Sequence, residues 1–298
     1  MLYLQPMAQQ GYPVYHIAGL GTFQPDVLVQ PFAPYIDMHH KLHVPHRHSF
    51  YHMVYFTAGS GCHTIDFHRF EVRPFQLYAM IPGQVHHWDF RGNVDGYVLN
   101  FTASFFQSFL LRPDYLEEFA FFRGQAQQAV LDIPVSMRTG VTALFDEMVS
   151  LASSLDTLRI DQLRVRALTL FLELATLQEP AKPAPLSYNA TLLRNFQKLV
   201  DKHFASLRLP KDYAALLYIT PNHLNAICSD LLGQSAGEVI RERIILEAKR
   251  LLVNPELSVA AVADTLNFKD NSYFTKFFKK YTRTTPEAFR KALTADFG

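Results

Sequence analysis

The sequence predicts a multidomain α and β chain: an N-terminal β-barrel followed by helices, then a C-terminal all-α domain with two helix-turn-helix motifs. Three observations predict it. Short runs of Tyr, Phe, Val, Ile and Thr fill Leu42 to Phe101, broken by Gly-Ser-Gly, Arg-Pro, Pro-Gly and Arg-Gly-Asn, which is the texture of strands and tight turns. Between Ser104 and Glu179 the apolar period becomes that of helices. From Leu257 to Lys291 two short helical patterns flank a turn, and the second has an aromatic stripe on one side and a cationic stripe on the other.

Composition sets the bounds. At 298 residues and 49% hydrophobic content the chain can furnish a core for each of two domains. No apolar run approaches the ~20 residues that span a bilayer, and the start, Met-Leu-Tyr-Leu-Gln-Pro, lacks the basic and apolar regions of an export signal. A cytoplasmic protein with no membrane partner is expected. The two cysteines, Cys62 and Cys228, suit a reducing compartment. The net charge of +1 conceals an asymmetry: from Tyr188 onward 16 Lys and Arg stand against 11 Asp and Glu, and before it 12 stand against 16. The cationic half is the one with the helix pair, as in a nucleic-acid module joined to a partner domain that does not bind DNA.

Residues 1–103 form the predicted barrel, with an irregular arm or edge strands up to about Pro34. Eleven of the 13 histidines precede residue 90. His46, His48, Phe50, His52, Val54 and Phe56 are spaced by twos, so one continuous strand would aim them at one face. Ile81-Pro82-Gly83-Gln84-Val85-His86 adds a histidine after a turn. These imidazoles suit interior groups with satisfied hydrogen bonds or donors to an organic ligand; His46, His48, His52 and His86 are also a possible transition-metal set. Tyr55, Phe67, Tyr78 and Trp88 are candidate pocket walls. The expected effector site is His46, His48, His52, Tyr55, His86 and Trp88, with no cofactor.

Residues 104–178 read as helical, with helices over 138–155 and 157–178. In the second, Ile160, Leu163, Ala167, Leu170, Leu174 and Leu177 alternate steps of three and four, a heptad seam that can dock on its own barrel or pair with a second copy. Pairing is the expectation. Residues 179–187, with three prolines, read as a semi-rigid linker.

Residues 188–298 complete the chain, with a helix beginning near Thr191. Around Leu209–Cys228 lies a first helix pair in which Thr220 would cap and Pro221 would occupy the first turn. Its exposed candidates for DNA contact are Asn222, His223, Asn225 and Ala226. A bridging helix is expected over 238–253, ended by Asn254-Pro255, with Val239, Ile240, Ile244, Ala248, Leu251 and Leu252 as its core stripe. In the second pair, Val259, Val262, Ala263 and Leu266 face Phe274, Phe277, Phe278 and Tyr281, after a cap at Asp270 or Asn271. The opposite face presents Ser272, Thr275, Lys276 and Lys279, with Lys280 beside them, to the major groove. Lysines on a helix are more commonly just a solvated face.

The second helix pair resembles that of the AraC/XylS family of bacterial transcription regulators in Val262, Ala263, Phe268, Ser272, Tyr273, Phe274, Phe278, Lys279, Lys280, Thr285, Pro286 and Arg290. Asn267 and Arg283 replace glycines of the family pattern. The first pair departs further, with Tyr218 at the turn glycine and Cys228-Ser229-Asp230 in place of Phe-Lys-Lys. The histidine segments resemble the His-x-His and Pro-x-Gly-x-x-His motifs of a cupin barrel, although Tyr51 or His52 stands where metal cupins place a glutamate. The resemblance implies a sequence-specific, homodimeric regulator of transcription: a cupin-like barrel for a small organic effector, a helical dimer contact, double-stranded DNA as partner, and RNA polymerase as a further one. The rival reading is a metal-dependent cupin enzyme with an accessory helical domain. The sequence holds no nucleophile elbow, phosphate loop or paired-carboxylate motif.

Overall fold

A computed structural model describes residues 13–20, 26–39, 44–107, 109–110, 112, 115–152, 156–178, 188–254 and 256–296. The chain divides into two compact units between Ala181 and Lys182. The expected linker, 179–187, lies outside the described residues.

The first unit is built on two five-stranded sheets. One runs β1 (Val14–Tyr15), β3 (His46–His48), β8 (Val85–Phe90), β5 (Gly61–Ile65), β6 (His68–Val72). The other runs β10 (Val130–Asp132), β7 (Gln76–Met80), β4 (Tyr51–Ala58), β9 (Asp95–Phe101), β2 (Val27–Pro31). The expected barrel is therefore a pair of packed sheets, with no ladder joining their edges among the described residues. Phe50, Ile65, Val72 and Trp88 from one side and Val54, Phe56, Tyr78, Met80 and Val98 from the other form a single buried interior. β1 and β2 are edge strands, as the sequence allowed. Helix α1 (Phe32–Met38) was not expected. It is short and carries Pro34 in its first turn, where an absent N–H breaks no helical hydrogen bond.

The two sheets differ in their outer faces. The first turns Arg69, Glu71, His87 and Asp89 outward, so it alternates as a half-solvated antiparallel sheet should. The second is buried on both sides, because Met53, Tyr55, Leu77, Ala79, Leu99 and Phe101 join a second core under helices. These are α2 (Ser104–Gln107), for which no span was expected, and α3 (Val135–Ala152) and α4 (Thr157–Ala175), close to the expected spans. Gly96 lets β9 pass β4 at the register shift after Phe56: at φ +149°, a Cβ there would lie 1.9 Å from the Tyr55 carbonyl oxygen.

The heptad seam meets its own domain. Leu163, Ala167, Leu170 and Leu174 are fully buried with Phe145 and Met148 of α3, and Ile160 and Leu177 pack at the edge of the same core. The expectation that this seam pairs two copies is corrected. Residues 104–178 share a core with the sheets, because the doubly buried sheet needs an apolar cover and this stripe supplies it.

The second unit has seven helices among its described residues: α5 (Tyr188–His203), α6 (Pro210–Leu216), α7 (Pro221–Leu232), α8 (Ala236–Leu252), α9 (Val259–Thr265), α10 (Asn271–Thr282) and α11 (Pro286–Asp296). One core holds them. Ile240, Ile244, Ala248, Leu251 and Leu252 of α8 pack with Leu224, Ile227 and Cys228 of α7 and with Phe274 and Phe278 of α10. Helix α8 starts at Ser235 with a capping box to Glu238. Near its other end, the Arg290 guanidinium donates to the Leu252 carbonyl at 2.9 Å.

Three positions where the family pattern has glycine take positive φ: Tyr218 (56°), Asn267 (54°) and Arg283 (64°). At the first two, the following residue closes the preceding helix, with Ile219 N–H donating to Ala214 and Phe268 N–H to Ala263. Asn tolerates this conformation. Tyr does so under strain on the order of 1 kcal/mol, and Tyr218, 96% exposed, gains no packing in return. Tyr218→Asn is therefore expected to stabilise the second unit by about 1 kcal/mol, read as a higher denaturation midpoint by far-UV circular dichroism.

Candidate functional site

Two sites emerge, one in each unit. In the first, the strand expected through residues 46–56 breaks at Ser49 and Phe50 and passes from one sheet to the other. His46 and His48 thus stand on β3 and His52 on β4, yet all three remain buried in the interior. His86 lies directly across the β3–β8 ladder from His46. The turn before it is fixed by Gln84, whose side-chain oxygen accepts from Ile81 N–H and whose amide donates to the buried Asp66 carboxylate. Asp66 also accepts from Val85 N–H, which holds the Pro-Gly-Gln-Val-His segment in place.

The rings converge closely. His46 Nε2 lies 3.1 Å from His48 Nε2, and the ring centroids of His46 and His86 are 4.2 Å apart. His46 Nδ1 faces the Val44 carbonyl oxygen at 2.7 Å. A carbonyl only accepts, so this nitrogen carries a proton. His52 turns to Asn100, opposite it on β9, with Nδ1 at 2.5 Å from Oδ1. Asn100 in turn donates to the Tyr35 hydroxyl of α1 at 3.4 Å.

Sequence reading missed His63. It sits on β5, is fully buried, faces His86 Nδ1 through its Nε2 at 3.1 Å, and stacks on Trp88 with centroids 3.3 Å apart. Its signal was the alternation of Gly61, His63 and Ile65, which shows which way His63 points once β5 is recognised as a strand. Burial, followed by the positive charge that neighbouring imidazoles would carry, holds His48, His63 and His86 well below the usual histidine range. Burial likewise takes His52 down to about 3, against the pull of its Asn100 hydrogen bond. These four are neutral at pH 7. His48 Nδ1, His63 Nδ1 and His86 Nε2 have no hydrogen-bond partner among the described residues.

Trp88 lies in the interior with Phe32, Phe56 and Tyr78. Tyr55 does not. Its ring points to the opposite face of β4, stacked with Tyr97 and Phe145, and its place in the effector site is corrected. A sheet covered on both sides shows no polar alternation that would reveal the direction of each residue. Phe67 occupies the β5–β6 turn at φ +73° and is half-buried.

In the second unit, Asp270 is the cap of α10, accepting from Tyr273 N–H at 2.7 Å. Phe274 and Phe278 anchor the back of the helix. Ser272, Lys276, Lys279 and Lys280 are exposed and Thr275 is half-exposed. The turn before α10 is held from outside the motif: the Arg208 guanidinium donates to the Leu266 and Asn267 carbonyls at 2.5 and 2.9 Å and lies 3.8 Å from the Phe268 ring centroid. Sequence reading gave Arg208 no role. Helix α7 is capped by Thr220, which accepts from His223 N–H, and shows Asn222, His223 and Ala226 to solvent. Asn225 is half-buried, and its side-chain oxygen accepts from Ala236 N–H at the start of α8. That bond occupies the carbonyl a base contact would use, so Asn225 fastens α7 to α8 rather than presenting a free amide.

The comparisons with known proteins bear on both units. A family described as an AraC-like ligand-binding domain matches residues 32–170, and a helix-turn-helix domain family matches residues 213–292. The chain carries the two domains of an AraC-type regulator. The arabinose operon regulatory protein of Salmonella typhimurium is 23% identical over 245 residues, covering 78% of this chain and 80% of that one. The probable transcription factor PqrA of Proteus vulgaris is 38% identical over 69 residues, which are 23% of this chain and 57% of PqrA. The regulatory protein PocR of Salmonella typhimurium is 28% identical over 97 residues, which are 32% of each chain. The AraC-type chain thus spans only part of PqrA and PocR. The crystal structure of ToxT from Vibrio cholerae O395 aligns with a TM-score of 0.44 and 14% identity, over 83% of this chain and 90% of ToxT.

The depressed histidines of this AraC-type chain have a consequence for stability. Unfolded, they titrate near pH 6.5, whereas folded they stay neutral to lower pH, so the unfolded state takes up more protons once pH falls below about 6.5. Stability is then lost progressively down to about pH 3 at His52, by about 1.4 kcal/mol per pH unit for each such histidine. Trp88, the single tryptophan, reports the unit that contains them. Its fluorescence-detected melting point in metal-free protein is expected to fall steeply between pH 6.5 and 5, to hold steady above pH 7, and to fall less steeply in His52→Gln.

Proposed function

We propose that this AraC-type chain is a ligand-responsive, sequence-specific regulator of transcription. Its second unit binds double-stranded DNA, and its first unit binds a small organic effector. One observation carries the reading: α10 is fixed by buried phenylalanines on one side and offers Ser272, Lys276, Lys279 and Lys280 to solvent on the other. Those lysines supply phosphate attraction, and Ser272 and Thr275 supply hydrogen-bonding groups to phosphate or base edges. Helix α7 adds Asn222, His223 and Ala226 with little cationic charge, so most electrostatic affinity belongs to α10. The effector site is the interior around His46, His48, His52, His86 and Trp88. In this reading the protein acts in the cytoplasm, with RNA polymerase as the partner through which promoter occupancy changes transcription.

The dimer reading moves to another face of α4. Leu158, Val165 and Leu172 recur every seven residues and are 75%, 42% and 52% exposed, on the side away from the buried seam. Three such residues one heptad apart make the short apolar stripe of a two-helix contact, and the occupant we assign to it is α4 of a second copy.

Lys276→Ala and Lys279→Ala are each expected to weaken binding to DNA from upstream of the protein's own gene and to lower the slope of log affinity against log salt by about 1. Fluorescence anisotropy across a salt series reads both, and unchanged slopes would displace α10 from the groove. Val165→Glu is expected to shift sedimentation toward the monomer while leaving Trp88 emission unchanged. A dimer that persists in that variant places the contact elsewhere.

A further inference from the structure

We propose that Arg208 is a positioning residue for DNA recognition, which aims α10 from the first helix-turn-helix motif by holding the turn before it rather than by touching DNA. This rests on the DNA-binding reading of the second unit and names what directs its reading helix. Arg208 stands just before α6, and its backbone is fixed by the first motif. The buried Tyr213 hydroxyl of α6 donates to the Leu207 carbonyl at 2.9 Å, and Leu207 N–H donates to the carbonyl of His203, the last residue of α5, at 2.8 Å. The side chain reaches the second motif. One guanidinium nitrogen, Nη2, donates to both the Leu266 and Asn267 carbonyls, at 2.5 and 2.9 Å. These carbonyls follow the end of α9, in a turn where Asn267 takes φ 54°, so no further helical turn satisfies them. The guanidinium also lies 3.8 Å from the Phe268 ring centroid. That ring meets Tyr273, Phe274 and Phe277 of α10 at centroid distances of 5.8, 5.1 and 5.2 Å. Tyr213, Leu207, Arg208 and Phe268 therefore form a chain of contacts that joins the two motifs without passing through α8.

Such a link matters more for reading bases than for holding phosphate. Hydrogen bonds to base edges weaken steeply with misalignment, whereas attraction between a lysine and a phosphate extends over about 8–10 Å at ordinary salt. A small rotation of α10 would misplace Ser272 and Thr275 for base contact and leave Lys276, Lys279 and Lys280 near the backbone. The first motif fastens its own helix differently, through the Asn225 side chain to Ala236 N–H. Arg208 is half-buried, and lysine is no substitute for it. An ammonium has no flat face to lay on Phe268 and no fixed fork of donors.

Duplexes enriched from a random pool by the natural full-length protein supply a selected probe, and a random-sequence duplex of the same length supplies the other. Fluorescence anisotropy across a salt series compares the natural protein with Arg208→Met and Arg208→Lys, each well below its melting point. Both variants are expected to lose affinity for the selected duplex by about 10-fold, the scale of one lost base contact. Their affinity for the random duplex and their slope of log affinity against log salt are expected to stay unchanged. A slope lower by about 1 in Arg208→Met alone makes the guanidinium a phosphate contact and overturns the proposal. Equal losses on both duplexes mark a smaller folded fraction, and this too overturns it. Should both variants unfold, Tyr213→Phe decides, because it frees the Leu207 carbonyl while keeping the buried ring. A fall of about 3-fold in the ratio of the two affinities then supports the proposal, and an unchanged ratio overturns it. Natural protein that enriches no sequence defeats the regulator reading and this role together. Enrichment, with Arg208 variants that discriminate as well as the natural chain, defeats this role alone.

Discussion

The second unit depends on one constraint: both helix-turn-helix motifs bury their backs against the same helix. Ile240, Ile244, Ala248 and Leu252 of α8 are inaccessible to solvent or nearly so, and they pack in one core with Leu224 and Ile227 of α7 and with Phe274 and Phe278 of α10. Burial of a full apolar side chain contributes about 1.5–3 kcal/mol, so moving either motif relative to α8 would expose several such contributions at once. The front of α10 can therefore be polar and cationic without weakening the unit. Arg208 adds a second tie, from the segment before α6 to the turn before α10. Its two charge-assisted hydrogen bonds satisfy carbonyls that the end of α9 would otherwise leave to water.

The first unit has a different economy of charge. Five imidazoles occupy its interior with Asn100 and Tyr35 as neutral partners, and Asp66 is engaged by Gln84 and Val85 N–H. A buried histidinium would need a carboxylate beside it, and the group around His46, His48 and His86 contains none. Burial accordingly holds His48, His52, His63 and His86 neutral at pH 7.

Much of this was legible in the sequence. The period of 3.6 placed α10 and its two faces, Thr220 and Asp270 marked helix starts, and the glycine substitutions at 218, 267 and 283 fell on residues that do take positive φ. Histidine spacing gave His46, His48, His52 and His86 a shared interior even though the strand carrying them is broken. What stayed hidden depended on neighbours rather than on pattern. Tyr55 reads like its strand neighbours because both faces of that sheet are apolar. The seam of α4 is equally regular whether its partner is another chain or its own sheet, and only the packing of Leu163, Ala167 and Leu170 decides. Asn225 and Arg208 take their roles from residues 11 and nearly 60 positions away, which no local spacing records.

Strand β4 belongs to both cores of the first unit at once. His52, Val54 and Phe56 look into the sandwich, while Met53 and Tyr55 look toward the helices. Because the side-chain period is two, a single inserted or deleted residue would exchange the two sets. Tyrosine would then enter the space of an imidazole, and an imidazole would meet the phenylalanines under α3. The strand has no idle side on which such an error could be absorbed.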